Sequence, residues 1–422
     1  MTPEGERSYP GRLARRLTTT DAVVIGMGSM IGAGIFVALA PAAEAAGTAL
    51  LAGLAIAGAV AFCNATSSAQ LAAVYPESGG THVYGRERLG SFWGFIAGWG
   101  FVIGKSASLS AIALTFGEYA WPDLARPLAV AAIVAMTAIN YRGIEKTALV
   151  TRIILAVVLS ALAAVLVASL SGGGVSSAHL GDLSDASALG ILRSAGFLFF
   201  AFAGYARIAT LGEEVVDPAR TIPRAIPIAL GLTLLIYAIV AVSALAALGP
   251  SALAASQAPL AASVRAGSLD WLLPAVRIGA TVASLGVLLS LLAAVSRTAF
   301  SMARNHDLPA HLAAVHARFR TPHRAELAEA ILVIVLVLFV DVRGAIGFSS
   351  FAVLVYYGIA NISAWTQPPE QRRWPRVLQA VGLVGCAVLA LTLPLPSVLG
   401  GLAVLIVGAL VWLVRHRVPS SR

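Results

Sequence analysis

Long apolar runs, separated by short polar segments, fill the chain between residues 22 and 414. An α-helix rises about 1.5 Å per residue, so about 20 apolar residues are enough to cross the hydrocarbon core of a bilayer. The pattern therefore predicts an all-α polytopic membrane protein with twelve transmembrane helices. The predicted spans are 22–43, 48–73, 91–118, 127–141, 148–170, 191–213, 225–248, 274–303, 326–341, 344–366, 376–393 and 396–414.

The composition agrees with a membrane protein. Of the 422 residues, 58% are hydrophobic and only 12% are charged, whereas soluble domains carry about 25% charged residues. The longest polar interval is about 20–25 residues, which leaves no room for a soluble domain of useful size. The net charge of +9 could suggest a nucleic-acid partner, but the basic residues flank apolar runs and form no binding motif, so we expect none.

The distribution of Lys and Arg predicts the orientation. With the N-terminus in the cytoplasm, 21 of the 29 basic residues lie in cytoplasmic segments and 5 in outer loops. Basic residues near the end of a span are counted with the adjoining segment, and the other three, Lys105, Arg207 and Arg297, lie deeper within spans. Cytoplasmic loops of membrane proteins carry this excess. We therefore predict a plasma-membrane protein with cytoplasmic tails at 1–20 and 415–422.

A glycine-rich stretch, residues 25–36, lies inside the first apolar run and contains Gly26, Gly28, Gly32 and Gly34. A broken helix at membrane depth is tolerated only beside protein or a water-filled cavity, because unpaired backbone groups are costly in hydrocarbon. Such a break exposes N–H groups and the positive end of a helix dipole, which suit a substrate carboxylate. The alternative is a packing face, since Gly28 and Gly32 have the GxxxG spacing.

A second interruption is predicted in span 6, from Gly196 to Gly204 and on through Arg207 to Gly212. Matching breaks in spans 1 and 6 are typical of a transporter built from two five-helix halves, with the substrate between them. The halves show no clear residue-level similarity, so this repeat rests on the positions of the breaks alone. The second break favours a substrate site over a packing face.

Five segments, in this order, resemble the amino acid–polyamine–organocation (APC) permeases over nearly the whole chain. They are GSMIGAGIF in span 1, YPESGGTHVYGRERLGSFWGFIAGW leading into span 3, NYRG after span 4, FAFAGY with EEVVDPARTIPRAI across span 6 and its loop, and SRTAFSMARNHDLP after span 8. The resemblance implies the LeuT-type fold, a 5+5 inverted repeat plus two peripheral helices, working by alternating access. The implied units are residues 21–171 for helices 1–5, 191–366 for helices 6–10 and 375–414 for helices 11–12.

The resemblance also implies where an amino acid would bind. Backbone groups in span 1 would meet the α-carboxylate, and carbonyl groups in span 6 would meet the α-amino group, with an aromatic ring as a gate. The implied residues are Met27, Gly28, Ser29, Met30 and Gly32 in span 1, and Phe200, Ala201, Phe202, Ala203 and Gly204 in span 6. No cofactor and no metal are expected.

Two departures from the family pattern bear on substrate and coupling. Many relatives carry a glutamate where this chain has Ala206, so a neutral or small amino acid is expected here. Some proton-coupled relatives carry a lysine in span 5, where this chain has only apolar and small residues near Val158. Lys105, near the middle of span 3, is the predicted coupling group, because burial favours the neutral amine and allows proton exchange. Alternatively, Lys105 snorkels or donates to carbonyl groups of the unwound helix 1.

Arg207 has two interpretations. A cation inside a span needs a partner or a cavity, and Glu213 or Glu214 lies one and a half to two helical turns further on. Arg207 is therefore a structural strut paired with one of these residues, or a gate charge that forms its pair in one access state only.

The predicted function is proton-coupled uptake of a neutral or small amino acid by a secondary active transporter in the lipid bilayer. The alternative is an amino acid or metabolite exchanger, in which a second solute takes the place of the proton. Its substrates would include cationic amino acids or polyamines. All seven His residues lie in predicted loops or tails, so a membrane enzyme with convergent catalytic groups is not expected. A receptor or channel is the third class, which a transport assay separates from a carrier.

Overall fold

The computed structural model describes residues 17–75, 79–143, 148–172, 175–181, 183, 186–205, 208 and 215–417. Its regular structure is helical, apart from an isolated bridge between Leu17 and Val215. The α-helices are α1 Thr19–Met30, α2 Ala33–Val37, α3 Leu39–Ala46, α4 Leu50–Val74, α5 Thr81–Leu89, α6 Ser91–Ala120, α7 Ala125–Tyr141, α8 Ala148–Leu170, α9 Ala178–Gly181, α10 Ala188–Phe202, α11 Pro218–Ala255, α12 Pro259–Arg265, α13 Leu273–Arg304, α14 His323–Phe339, α15 Val342–Trp365, α16 Arg376–Thr392 and α17 Leu395–Arg417.

The outer surface of this bundle is apolar, as lipid contact requires. Large hydrophobic side chains project from several helices; Phe339 is 82% exposed and Leu395 is 66% exposed. Over the described ranges, nine helices are long and apolar enough to cross a membrane, and α10 and α16 are shorter apolar helices. The protein is thus a multi-pass membrane protein, while the count of twelve spans and the inverted repeat stay predictions.

The first predicted span is broken inside its glycine-rich stretch. Helix α1 ends at Met30, and Ile31 (φ −76°, ψ 70°) and Gly32 (φ −123°, ψ −146°) leave the helical conformation before α2 begins. The chain continues through α3 to Ala46. The sequence therefore predicted the interruption at the right place.

The sixth predicted span is also interrupted. Helix α10 ends at Phe202, and residues 203–205 form a turn. Arg207 lies outside the described residues, as do Glu213 and Glu214, so both interpretations of Arg207 stay predictions.

Helices α6 and α15 lie at the centre of the bundle and pack against each other. In the most apolar stretch of each, 83% of the residues are buried, against 22% in α17. Helix α17 therefore lies at the periphery, with most of its surface free for lipid.

Two of the segments that carried the family resemblance meet at one end of the bundle. Arg86 on α5 pairs with the buried Asp307, which follows α13. His82 on α5 is also buried; its Nδ1 atom lies 2.9 Å from the carbonyl oxygen of Gly94, and its Nε2 atom lies 3.9 Å from Asp307. Burial is the main cause that lowers the pKa of His82. This cluster holds α5 against the segment after α13.

Candidate functional site

The two helix interruptions lie side by side. A Cβ atom added at Gly204 would lie 2.1 Å from the carbonyl oxygen of Ser29, and one added at Gly34 would lie 2.7 Å from the Cα atom of Ala201. Real Cβ atoms do not approach other atoms so closely, so only glycine fits at these two crossings. The structure thus brings the predicted residues of spans 1 and 6 together at a single place.

Tyr237 on α11 joins the two interruptions. Its hydroxyl oxygen lies 2.6 Å from the carbonyl oxygen of Met30 and 3.1 Å from that of Ala201. Both carbonyl groups belong to the last turns of their helices, where the regular i→i+4 partners are missing; the carbonyl oxygen of Met30 also accepts from the backbone N–H group of Gly32 over 2.8 Å. The Tyr237 side chain is fully buried, and its ring lies 5.2 Å from that of Phe202. Tyr237 therefore holds the ends of α1 and α10 in a fixed relation.

A second buried tyrosine, Tyr357 on α15, packs against the turn that follows α10. Its hydroxyl group donates to the carbonyl oxygen of Ala203 over 3.4 Å, and its ring lies 5.0 Å from that of Tyr205. Phe200, the predicted aromatic gate, is only half-buried, whereas Phe202 is fully buried. Of these two phenylalanines, Phe200 is the one with exposed ring surface.

Most of the predicted carboxylate-binding residues of span 1 pack against other helices. A Cβ atom at Gly28 would lie 3.0 Å from Thr151 on α8, and one at Gly32 would lie 2.4 Å from Val287 on α13. The hydroxyl group of Ser29 donates to the carbonyl oxygen of Ile25 over 2.9 Å. These side-chain positions therefore shape the interruption, and the backbone is what remains to meet a ligand.

The remaining residues of the predicted set lie against the same interruption. Met27 is 8% exposed, Met30 2%, Ala201 4% and Ala203 9%. Such nearly complete burial leaves little room for polar side-chain contacts, so any ligand here would be recognised by backbone groups and by shape.

Lys105 lies in the central helix α6 and is 8% exposed. Across the part of the chain that the structure describes, its ammonium group has neither a hydrogen bond nor an ion pair. The neighbouring Gly104 faces Ala352 on α15, and Ser106 faces Glu329 on α14. Lys105 therefore lies in the protein interior, and none of the described residues forms an ion pair with it.

Two glutamates on α14 were missed by the sequence interpretation, which assigned no role to either. Glu326 is 6% exposed and Glu329 is 4% exposed. The signal was in the sequence, because both lie at the start of the ninth predicted run, and residues three apart on a helix share a face. Tyr237 was missed as well, and no local pattern marked it.

Interrupted helices inside an apolar bundle are typical of membrane transporters, and comparison with known proteins agrees. A model of the amino acid permease family matches residues 21–398. This chain belongs to the amino acid permease family. The resemblance to APC permeases is thereby confirmed.

The relatives of this permease are transporters by name. It is 60% identical over 414 residues to an uncharacterized transporter of Mycobacterium tuberculosis, an alignment that covers 98% of this chain and 94% of that protein. It is 26% identical over 345 residues to the branched-chain amino acid permease of Bacillus subtilis, covering 76% and 73%. It is 28% identical over 389 residues to the chloroplastic cationic amino acid transporter 7 of Arabidopsis thaliana, covering 84% and 66%.

Two ion pairs of this permease lie on either side of the first interruption. Asp21 on α1 pairs with Arg152 on α8. Glu44 on α3 pairs with Arg343 at the start of α15, and Arg343 also donates to the carbonyl oxygen of Ala254. Each pair therefore ties one part of the interrupted span 1 to a different helix.

No metal centre is formed by the described residues of this permease, because they contain no group of three or more His, Cys, Asp or Glu side chains that could hold an ion. Cys63 and Cys386 are buried free thiols. The Sγ atom of Cys386 donates to Asn64 over 3.3 Å, in a polar cluster between α4, α15 and α16.

Proposed function

We propose that this permease is a secondary active transporter that moves a neutral or small amino acid across the plasma membrane by alternating access. The observation that carries the proposal is the contact between the two helix interruptions, bridged by Tyr237, in a chain of the amino acid permease family. Interrupted helices at the interface of two repeats form the substrate sites of such carriers.

The ends of the interrupted helices supply complementary charges for an amino acid. The α-carboxylate would bind backbone groups of the stretch from Met27 to Gly32, next to the positive end of α2, which begins at Ala33, whereas Met27–Met30 form the last turn of α1. The α-ammonium would bind carbonyl groups of residues 200–204, where α10 ends and its dipole is negative. Phe200, with its exposed ring surface, would cover the bound substrate.

A neutral side chain is the better fit for the substrate. The position after the turn is Ala206, which offers no carboxylate to a cationic substrate, and the branched-chain permease among the relatives is named for neutral substrates. The second candidate is an exchanger that accepts cationic amino acids or polyamines, which the name of the Arabidopsis relative favours.

The driving force we propose is a proton gradient coupled through Lys105. An unpaired amine in the interior can bind and release a proton, and coupling requires only that the inward and outward states differ in proton affinity. Lys105→Arg should lose pH-driven accumulation, because arginine cannot release its proton. Lys105→Ala should lose accumulation but keep slow downhill exchange. If Lys105→Arg accumulates substrate with normal pH dependence, Lys105 is not the coupling group.

The test of the whole proposal is uptake of labelled amino acids by purified protein in liposomes, with and without an inward pH gradient. Accumulation of a neutral amino acid that collapses with the gradient is the expected result. Uptake that needs an internal amino acid and ignores the gradient would establish the exchanger. Absence of uptake for every amino acid would overturn the transport proposal.

The architecture we propose for this cycle has twelve spans, with helices 1–5 in residues 21–171, helices 6–10 in 191–366 and two further helices in 375–414. Both tails would lie in the cytoplasm. The two halves would rock about the fixed interruptions, which alternating access requires.

A further inference from the structure

A pocket of about 130 Å³ lies apart from the helix interruptions. It is bounded by α6, α13, α14 and the segment after α13, and its walls include Trp99, Val102, Met302 and Leu308. Among these mostly apolar walls lies one ionisable side chain, Glu329. The volume holds a few water molecules, each of which needs about 30 Å³.

The hydroxyl group of Ser106 lies within hydrogen-bonding distance of Glu329. The hydroxyl oxygen lies 2.8 Å from the carbonyl oxygen of Val102 and also 2.8 Å from Oε1 of Glu329. A serine hydroxyl has one hydrogen atom to donate and two lone pairs with which to accept. If Glu329 is protonated, it can donate to Ser106, which in turn donates to Val102, so that both contacts are full hydrogen bonds.

The same hydroxyl group can serve the ionised form. If Glu329 loses its proton, rotation about the Cβ–Oγ bond of Ser106 lets the hydroxyl donate to the carboxylate instead. The carbonyl group of Val102 keeps its helical N–H partner, which is the backbone of Ser106 itself. The pair therefore accommodates both charge states without movement of the helices.

The surroundings of Glu329 contain no close counter-charge. Within the described ranges no ion pair involves Glu329, whereas the neighbouring Glu326 interacts electrostatically with Arg297. The titratable and charged side chains at this end of the packed elements are Lys105 on α6, Tyr141 on α7, Arg297 and Arg304 on α13, Asp307 and His311 after α13, and His323, Arg324 and Glu326 on α14. A buried carboxylate without a paired cation is costly, which favours binding of a proton.

We propose that Glu329 and Ser106 form a proton-binding site, and that the pocket connects this site with the solution at the end of the molecule where residues 304–325 lie. Ser106 follows Lys105 on α6, although successive side chains on a helix do not face each other. The role of Glu329 in transport rests on the proton coupling proposed above: Glu329 would pass the proton between the solution and the interior of the bundle.

The experiment compares Glu329→Gln with Glu326→Gln in the full-length purified protein. Glutamine keeps the size of the side chain and its ability to accept from Ser106, but it cannot titrate. We expect pH-difference infrared spectra of the wild type to contain the C=O stretch of a protonated carboxyl group, absent from Glu329→Gln and retained in Glu326→Gln. In liposomes, Glu329→Gln should reduce pH-driven accumulation to the level seen without a gradient, and Glu326→Gln should keep the dependence on the gradient.

Ser106→Ala tests the site with the carboxyl group in place. Removal of the hydroxyl group should shift the C=O band, because a protonated Glu329 loses its acceptor. A band that survives unchanged in Glu329→Gln, or that Ser106→Ala does not move, would overturn the proposed site. If the band behaves as expected but the wild type ignores a pH gradient, the site stands and proton-coupled transport is wrong.

Discussion

The hydroxyl group of Tyr237 can donate only one hydrogen bond at a time, although the carbonyl oxygens of Met30 and Ala201 both lie within reach. Tyr237→Phe removes this donor; the carbonyl oxygen of Met30 keeps the bond from the N–H group of Gly32, but that of Ala201 is left buried without its donor, a loss worth about 1–3 kcal/mol. Because the two acceptors end the two interrupted helices, we expect the apparent KM for substrate to rise about tenfold or more. Concentration-dependent uptake in liposomes measures the change.

Tyr119 provides a matched control for Tyr237. It is another fully buried tyrosine, and its hydroxyl group donates to the carbonyl oxygen of Phe36 over 2.8 Å, away from the paired helix ends. Tyr119→Phe should lower thermal stability and leave KM nearly unchanged. An equal KM in both variants would mean that the tyrosine bridge does not shape the substrate site.

Gly204 gives a second prediction for a single residue. In Gly204→Ala the new methyl group would collide with backbone atoms of Ser29 and Met30, which cannot rotate away. We expect loss of at least nine-tenths of uptake, with the protein still inserted in the membrane, because only the local crossing is disturbed. The control is Gly231→Ala on α11, where a Cβ atom meets nothing within 4 Å and a helix gains stability. Normal uptake by Gly204→Ala would show that the two interruptions need no close contact.

Among the elements, the two parts of the interrupted first span are each held by one ion pair. Asp21 pairs with Arg152 near the start of α1, and Glu44 pairs with Arg343 near the end of α3. If access alternates, Arg152→Ala should favour opening toward the cytoplasm and Arg343→Ala opening toward the outside. The probe is a single cysteine at Ala203 in a protein that lacks Cys63 and Cys386. It should be labelled up to about fivefold faster from the cytoplasmic side in Arg152→Ala and from the outside in Arg343→Ala.

The exposed pair between Asp217, which precedes α11, and Arg220 in its first turn supplies the control for this experiment, because the two residues are only three apart in the chain. Arg220→Ala should leave labelling at Ala203 unchanged, since such a pair contributes little and joins no two helices. Faster labelling from the same side in both Arg152→Ala and Arg343→Ala would contradict the alternating role of the pairs.

For the whole molecule, the distribution of charge predicts the orientation in the membrane. With 21 of 29 basic residues on one side, residues 304–325 and both tails should face the cytoplasm. A cysteine at Ala317, which is exposed in the loop after α13, should resist an impermeant thiol reagent in intact cells. A cysteine at Ala266, which is exposed after α12, should react. The reverse result would invert the proposed topology.

The native thiols do not disturb this measurement, because Cys63 and Cys386 are buried in the helix bundle. The unsubstituted protein should therefore show little labelling in intact cells. Permeabilised cells give the second comparison, in which the cysteine at Ala317 should become reactive.

The sequence by itself determined the class of the protein and the positions of most helices. Apolar runs of about 20 residues have one stable arrangement in a bilayer, because hydrocarbon forces each backbone group to find a partner within its own helix. The break near Gly32 could be predicted for a similar local reason, since clustered glycines weaken a helix wherever it lies. The family could be predicted from five short segments, although the contacts between them could not.

Only the tertiary structure decided which residues surround the interruptions. Tyr237 lies more than 30 residues from Ala201 and more than 200 from Met30 in the chain, and no local pattern links them. Gly28 and Gly32 share a helical spacing, yet the break turns them toward Thr151 and Val287 on different helices. Such contacts depend on how distant helices pack together, and the periodic pattern of one helix contains no information about its neighbours.

The two glutamates of α14 show the same division. The sequence placed Glu326 and Glu329 at the start of an apolar run, where an acidic residue could equally face water at the end of a span. The structure buries both, gives Glu326 the electrostatic influence of Arg297, and sets Glu329 against Ser106. Whether a carboxyl group near a helix end meets solvent, a cation or a hydroxyl group depends on the neighbouring helices, and the order of residues along one helix does not contain that information.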